Sequence, residues 1–486
     1  MLDEYSCICY TDTYEKSNRR GMELKMTEIM RKFIKLIQQC QRKKNDMTSM
    51  QKIIVGYAFI ILVGTLLLAL PFSTRSGAYT SVSDALFTAT SATCVTGLVR
   101  FDTYIHWSLF GQIIILSMIQ IGGIGFMTIA VSVISMTRRR ISIASREIMQ
   151  DSIASPYLGG LVGMTRFILM GTAMIEGAGA ILLSFYFCPR LGTLKGIWYS
   201  VFHSISAFCN AGFDLFGTYE PYSSLTSASA NWYVNLIVIA LIVIGGLGFF
   251  VWRDLLASKF RFGNLKLHSK MVLSVTVVLV IGGAIVLFLL EQGSEAFAGL
   301  TVSNQIVGAL FQSVTARTAG FNTINLSAMS QAGQFFMIVL MLIGGSPGST
   351  AGGMKTTTAA VLFLSIHSTL HKRRDTEAFG RRLGTEIVRT SCCILMLYLL
   401  AVIVSTMLIS HIDNLPLLTS MYECVSAVAT VGVTLGITAE LSMISKLIII
   451  ALMFFGRVGS ITILLAFSSD KGHSASKLPI EKMQVG

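Results

Sequence analysis

Residues with the means to do chemistry are few in this chain, and the most telling are glycines. Gly97, Gly212, Gly320 and Gly432 recur at intervals of 115, 108 and 112 residues, inside the segments SATCVTGL, SAFCNAGF, VTARTAGF and SAVATVGV. Ten residues before them stand Phe87, Phe202, Leu310 and Tyr422, and a second glycine cluster follows each, at 122–125, 245–248, 344–348 and 456–459. A period kept through two landmarks marks one unit copied four times. Glycine lets the backbone aim successive carbonyls one way, and four such loops about an axis make a ring of carbonyl dipoles that can replace a cation's hydration shell. The residues placed to line that ring are Cys94, Val95, Thr96 and Gly97; Cys209, Asn210, Ala211 and Gly212; Arg317, Thr318, Ala319 and Gly320; and Ala429, Thr430, Val431 and Gly432. Their side chains differ and are not uniformly charged, so contact with an ion is expected through backbone oxygen. Small residues also permit close helix packing, but packing alone does not call for four copies in phase.

A second site candidate lies in the third unit. Phe336–Leu370 is too long for one span, and its middle reads Gly344, Gly345, Ser346, Pro347, Gly348, Ser349, Thr350, Ala351, Gly352, Gly353. Five glycines and a proline there cannot hold a helix, since glycine costs about 1 and proline about 3 kcal/mol against alanine. Irregular backbone at membrane depth must line a cavity or be buried in protein. Lys355 and Arg457 are among the few charges within the apolar runs, which makes them functional candidates. Lys355 also fits snorkelling to the inner interface, and Arg457 a structural pairing with a carbonyl or acid. Glu176 either touches an ion route or bonds to a neighbouring helix. The seven histidines have no metal-ligand spacing, Cys7/Cys9 and Cys392/Cys393 make no ligand set, and no phosphate-binding loop, nucleophile elbow or HExxH motif occurs.

The elements that position these residues are membrane helices. The chain is 53% hydrophobic and 13% charged, with a mean hydropathy of +0.68, outside the soluble range. Apolar runs at 53–70, 109–136, 167–187, 234–251, 271–290, 336–370, 392–409 and 447–467 predict eight spans, two per unit. Between the two spans of a unit lies a shorter apolar stretch such as Val82–Ala92, too short to cross and suited to a re-entrant half-helix. The expected fold is an all-α membrane protein: four parallel repeats of helix, half-helix, glycine loop and helix around a central pore. The boundaries fall at 1–52 (a basic N-terminal segment), 53–140, 141–265, 266–375, 376–470 and 471–486 (a C-terminal tail).

Of the 38 Lys and Arg, 30 lie in the two terminal segments and in the loops at 138–166, 253–270 and 372–389. The positive-inside rule therefore puts both termini in the cytoplasm of a plasma-membrane protein, with the glycine loops facing out. The outer loops carry Asp84, Asp102, Asp214, Glu220, Glu291, Glu295, Asp413, Glu423 and Glu440, acids that would enrich cations at a mouth. The net charge of +13 needs no nucleic-acid partner, because the inner leaflet accounts for it. An even number of spans per unit gives all copies the same orientation, unlike the inverted halves of many carriers. The N-terminal segment lacks a secretory apolar region, so no signal peptide is expected, and Met47 and Met50 are alternative starts.

These motifs resemble the Trk/Ktr/HKT superfamily of potassium transporters, and within it the bacterial KtrB-type pore subunit, from about Lys52 onward. The resemblance rests on DALFTATSATCVTGL, HSISAFCNAGF, TARTAGFNT and SAVATVGVTLG, with IQIGGIGFMT and FFGRVG from the second helices. It implies K+ as the transported ion, a selectivity filter at the four glycines, and a gate at Gly344–Gly353 with Lys355 and Arg457. Serine at the first filter glycine goes with sodium permeability in that family, so Gly97 points to potassium. It further implies a homodimer joined through the C-terminal tail, no tightly bound cofactor, Na+ as an activator, and a cytosolic ring of RCK-domain (KtrA-like) subunits binding ATP or ADP. Coupled symport with Na+ or H+, as in Trk-type relatives, is the alternative.

Overall fold

The computed structural model describes residues 48–125, 128, 161–467 and 481. Most of the N-terminal segment, the basic stretch at 138–160, the run to Met136 expected to complete the second span, and nearly all of the tail at 471–486 lie outside the described residues.

Four units follow one another. The first holds α1 (Ser49–Leu68), α2 (Val82–Thr93) and α3 (Leu109–Ile124). The second holds α4 (Leu161–Leu191), α5 (Thr193–Phe208), α6 (Trp232–Leu247) and α7 (Phe249–Ala257). The third holds α8 (267–290), α9 (Val302–Thr315), α10 (Gln331–Leu342) and α11 (Thr356–Leu370). The fourth holds α12 (Thr385–Asp413), α13 (Leu417–Val428), α14 (Met443–Val458) and α15 (Ser460–Phe467). A two-stranded hairpin, β1 (Glu377–Ala378) with β2 (Arg381–Arg382), joins the last two units.

Local chemistry sets these limits. Thr48 caps α1 reciprocally with Gln51, and Ser81 caps α2 by accepting from the Asp84 amide, meeting amides that the first turn leaves unpaired. The 12 residues of α2 rise about 18 Å, little more than half of a bilayer core. It is a half-helix, as are α5, α9 and α13. The long α8 contains a π turn at Val278–Gly282. Ser313 of α9 explains it: its hydroxyl donates to the carbonyls of Leu279 (3.0 Å) and Val280 (2.9 Å), which the widened turn frees.

The expectation of eight continuous spans needs correction. Among the described residues only α1, α4, α8 and α12 are long and apolar enough to cross, with α6–α7 a fifth if counted despite its 90° bend. Each second helix of a unit breaks at its glycine cluster. Gly125, Gly248 and Gly459 sit at φ 89°, 94° and 97° with ψ near extended values, a conformation that ends a helix and that L side chains rarely adopt. The third unit breaks over the whole of 343–355.

The half-helices are the most buried elements. Phe87, Phe202, Phe311 and Tyr422 are fully enclosed, one in each. In the third unit this ring is Phe311 and not the expected Leu310, a shift of one residue. The same shift appears in the loop. The amides of Thr96, Ala211 and Val431 bond carbonyls five residues back, whereas Ala319 bonds Thr315, four back. The third loop is one residue tighter.

Candidate ion-conduction site

The half-helices end where the glycine loops begin, so their negative ends point at the loops. In all four loops the residue two before the glycine is left-handed: Val95 (φ 57°), Asn210 (58°), Thr318 (70°) and Thr430 (53°). Three of these are β-branched, for which positive φ is a genuine outlier; such strain persists only where surroundings enforce it. Side chains in the half-helices supply the enforcement. The Ser91 and Ser426 hydroxyls accept from the Gly97 and Gly432 amides at 3.1 and 3.0 Å, and Ser206 and Thr315 donate to the Phe213 and Phe321 carbonyls at 2.6 and 2.5 Å.

With their amides tied back, the carbonyls face elsewhere. Among the described residues, none of the carbonyls of 94–97, 209–212, 317–320 and 429–432 accepts a hydrogen bond. Yet these loops are buried, where an unpaired carbonyl is costly. The loops meet in a closed ring. A Cβ on Gly97 would lie 2.6 Å from the Ala211 oxygen, one on Gly212 2.7 Å from the Gly320 Cα, and one on Gly320 2.8 Å from the Val431 oxygen. One on Gly432 would overlap the Thr96 oxygen, which closes the circle. No side chain fits at any of the four.

Above the ring lies a cavity of about 410 Å³ bordered by all four glycines together with Asp102, Asp214 and Glu440. Burial and the Asp102 carboxylate push the Asp214 carboxyl up to about 7. The other outer acids do not reach this mouth as expected. Asp84 pairs with Lys446 (2.7 Å) and Arg100 (3.6 Å), Glu291 accepts from Ser330, and Glu423 accepts from Thr434 and Thr438. They hold loops together.

Below the ring the third unit's irregular segment is stitched across the molecule. Ser346 and Thr350 amides bond the Gly246 and Gly245 carbonyls, Gly353 bonds that of Gly456, and Phe249 donates to Gly348 at 2.8 Å. The Thr350 hydroxyl reaches the Phe208 carbonyl. Arg457 binds the carbonyls of Thr350, Gly122 and Gly123, so one guanidinium joins the first, third and fourth units. Lys355 donates to Ala351 at 2.8 Å and Gly352 at 3.4 Å, a local contact beside the loop. Both cations border a second cavity, of about 330 Å³, below the ring. Gly122, Gly245 and Gly456 carry no side chain for a plain reason: a Cβ would strike the carbonyls of Thr93, Phe208 and Val428 at the half-helix ends.

Two charges stand behind the ring. Glu176 accepts from Gln120 at 2.9 Å and from the Cys209 thiol at 3.7 Å, and that thiol also reaches Gln120. Glu176 thus bonds to a neighbouring helix and to the second loop. Arg317 turns outward to Thr276 at 3.2 Å, leaving only its backbone for the axis. Sequence reasoning missed the bracing Gln120 and the Asp84–Lys446 pair, because nothing local signals a contact between residues so far apart.

A ring of buried, unpaired carbonyls between two cavities in a helical membrane protein defines a cation transport protein. The chain belongs to the family described as TrkH, Cation transport protein, whose match spans residues 25–476. It is similar to the potassium/sodium uptake protein NtpJ of Enterococcus hirae, 39% identical over 92% of this chain and 99% of that one. It is likewise 36% identical to the Ktr system potassium uptake protein B of Bacillus subtilis, over 87% of this chain and 94% of that one. The potassium transporter TrkH from Vibrio parahaemolyticus shares the fold, with a TM-score of 0.66 and 19% identity over 85% of this chain and 84% of that chain.

Proposed function

We propose that this chain is the ion-conducting subunit of a Ktr-type potassium uptake system in the plasma membrane. The observation that carries the reading is the closed ring of four glycine loops whose buried carbonyls have no hydrogen-bond donor. Potassium, with its weakly held water, is the cation such oxygens suit. In this reading the carbonyls of residues 94–97, 209–212, 317–320 and 429–432 form the selectivity filter. The Gly344–Gly353 segment, with Lys355 and Arg457, is the gate, because it crosses under the ring, bonds the second and fourth units and is tied through Arg457 to the first. The relatives' names, potassium uptake proteins B of Ktr systems, support potassium as cargo and a further component of the system; in this reading that component is a cytosolic RCK-type subunit that binds nucleotide. In this reading both termini are cytoplasmic, the four units run over 53–140, 141–265, 266–375 and 376–470, and the working form is a homodimer.

A second reading makes sodium a co-transported or activating ion. The name of the Enterococcus hirae relative, which includes sodium, favours keeping it. Growth of a potassium-uptake-deficient bacterium on low potassium, with the chain alone and with an RCK-type partner, tests the first reading. Uptake measured with and without external sodium separates the two. No growth under any of these conditions, with the chain present in the membrane, defeats the proposal.

A further inference from the structure

Two turns on the inner side carry phenylalanine where the backbone favours something else. In the β1–β2 hairpin the connecting pair is Phe379-Gly380, at φ 49° and 71°. Both central residues of a two-residue hairpin turn with positive φ call for Asn-Gly or Asp-Gly. In the turn after α7, Lys259 and Phe260 are left-handed as well, at φ 51° and 59°. Phe260 and Phe379 are nevertheless 72% and 52% exposed. A bulky ring held in a strained conformation and left mostly exposed gains little inside the protein.

The two turns touch. Phe262 and Phe379 meet edge to face with ring centroids 6.2 Å apart, and the Lys270 ammonium lies 5.9 Å from the Phe262 ring. Around the rings stand Lys259, Arg261, Arg381 and Arg382. Of these only Arg382 makes an ion pair among the described residues, with Asp375 at 3.2 Å. The 90° bend between α6 and α7 turns α7 off the line of α6, and its turn lies in the basic stretch at 253–270, beside the one at 372–389, stretches that the positive-inside rule sets at interface height. Aromatic rings with a cationic rim at that height match phospholipid: phosphate for the cations, the acyl boundary for the rings.

The ridge also has a lever. The helix leading to the first turn, α7, starts at Phe249, whose amide holds the Gly348 carbonyl at 2.8 Å. The helix leading to the hairpin, α11, starts at Thr356, whose amide holds Gly345 at 3.0 Å. The outer ends of both helices are therefore clasped by Phe262 and Phe379, while their inner ends grip the Gly344–Lys355 segment. We propose that the Phe260, Phe262 and Phe379 ridge with its basic rim seats anionic phospholipid headgroups of the inner leaflet. Occupancy draws α7 and α11 toward the bilayer plane and loosens the segment, raising flux. The regulatory half rests on that segment being the gate; the binding half does not.

The test uses the full chain in vesicles of phosphatidylcholine alone or mixed with phosphatidylglycerol. Potassium flux is measured alongside the phosphatidylglycerol retained in native mass spectrometry. Flux should rise in the mixture, and phosphatidylglycerol should be retained over phosphatidylcholine about fivefold or more, the factor expected for even one basic residue near an anionic surface. The pair Phe260→Asn and Phe379→Asn suits the left-handed backbone, so it folds, and should abolish the rise and the retained lipid. Arg381→Gln with Arg382→Gln should do the same. Retention equal to wild type in both variants overturns the site, and retention without any change in flux overturns the lever. Wild-type vesicles that take up no potassium while retaining lipid count against the transport reading and leave the site standing. Variants that keep the lipid but lose a co-purifying protein assign the ridge to that protein and overturn the lipid assignment.

Discussion

Replacing Arg457 tests the crossing segment most directly. Its guanidinium binds the carbonyls of Thr350, Gly122 and Gly123, so it is both a fixed positive charge below the ring and a tie among three units. A potassium ion passing at about 8 Å through an effective dielectric near 20 meets a repulsion of about 2 kcal/mol, about thirtyfold in rate. The ties act in the same direction, since each bond to a charged donor contributes about 1.5–3 kcal/mol toward keeping the segment shut. Arg457→Ala removes charge and ties together. Arg457→Gln removes the charge and keeps one or two donors, and Arg457→Lys keeps the charge and loses the fork. Flux into vesicles, without any regulatory subunit, should rank Ala above Gln above Lys, with Ala and Gln about tenfold or more above wild type. Thermal unfolding in detergent guards against a merely broken protein, because the lost ties also lower stability. If Ala and Gln insert, fold and conduct no better than wild type, the segment is a structural kink and the barrier lies elsewhere.

Gly97→Ser puts a side chain where a Cβ would meet the Ala211 carbonyl at 2.6 Å; it should lower the preference for K+ over Na+ about tenfold or more, equivalent to about 1.4 kcal/mol, in competitive uptake. Glu176→Ala frees the Cys209 thiol and Gln120 and should raise the KM for potassium with little change in maximal rate, whereas Glu176→Gln, which keeps hydrogen-bonding groups, should stay near wild type; equal KM values for both reject the brace. On the glycine-loop side of the molecule, the hydrogen bond from Lys195 holds the Tyr104 hydroxyl down at about 8. Because the folded value lies below the ordinary one near 10, the extra stabilisation that Lys195 gives the phenolate is absent below pH 8 and builds in as pH rises from 8 toward 10. Ultraviolet difference titration should find one tyrosine ionising near pH 8, and Lys195→Met should abolish that step; a first step near 10 in both proteins refutes the pairing.

Much of this site is legible in the sequence because its strongest signal is repetition. Four glycines in register, each behind a short apolar stretch, locate the loops and half-helices without any knowledge of packing. The breaks at Gly125, Gly248 and Gly459 are not legible in that way. Glycine in an apolar run is tolerated by a helix at a small cost; the Gly344–Lys355 segment, which takes the freed carbonyls of Gly245, Gly246 and Gly456, and Arg457, which takes those of Gly122 and Gly123, make breaking favourable. The pairing of Asp84 with Lys446 is hidden for a related reason. Its partners are 362 residues apart, and an acid in an outer loop looks the same whether it faces the mouth or a lysine. The one-residue tightening of the third loop is also silent, since Val314 and Thr315 both fit the repeat until the hydroxyl of Thr315 is seen holding Phe321.

The chain draws a circle with a line, and a circle drawn so has one join that no peptide bond makes. That join is where Gly432 leans on Thr96 and Gly97, clamped at its rim by Lys446 on Asp84. Every other neighbour in the ring arrives from the ribosome in order, next to the one before it. The first unit alone must wait, with one flank bare, until the fourth has been made. A shortened product or a stalled nascent chain therefore carries three quarters of a passage and no enclosed path. The membrane is spared a leak for as long as the protein is incomplete, because the wall and the last stretch of the message are finished together.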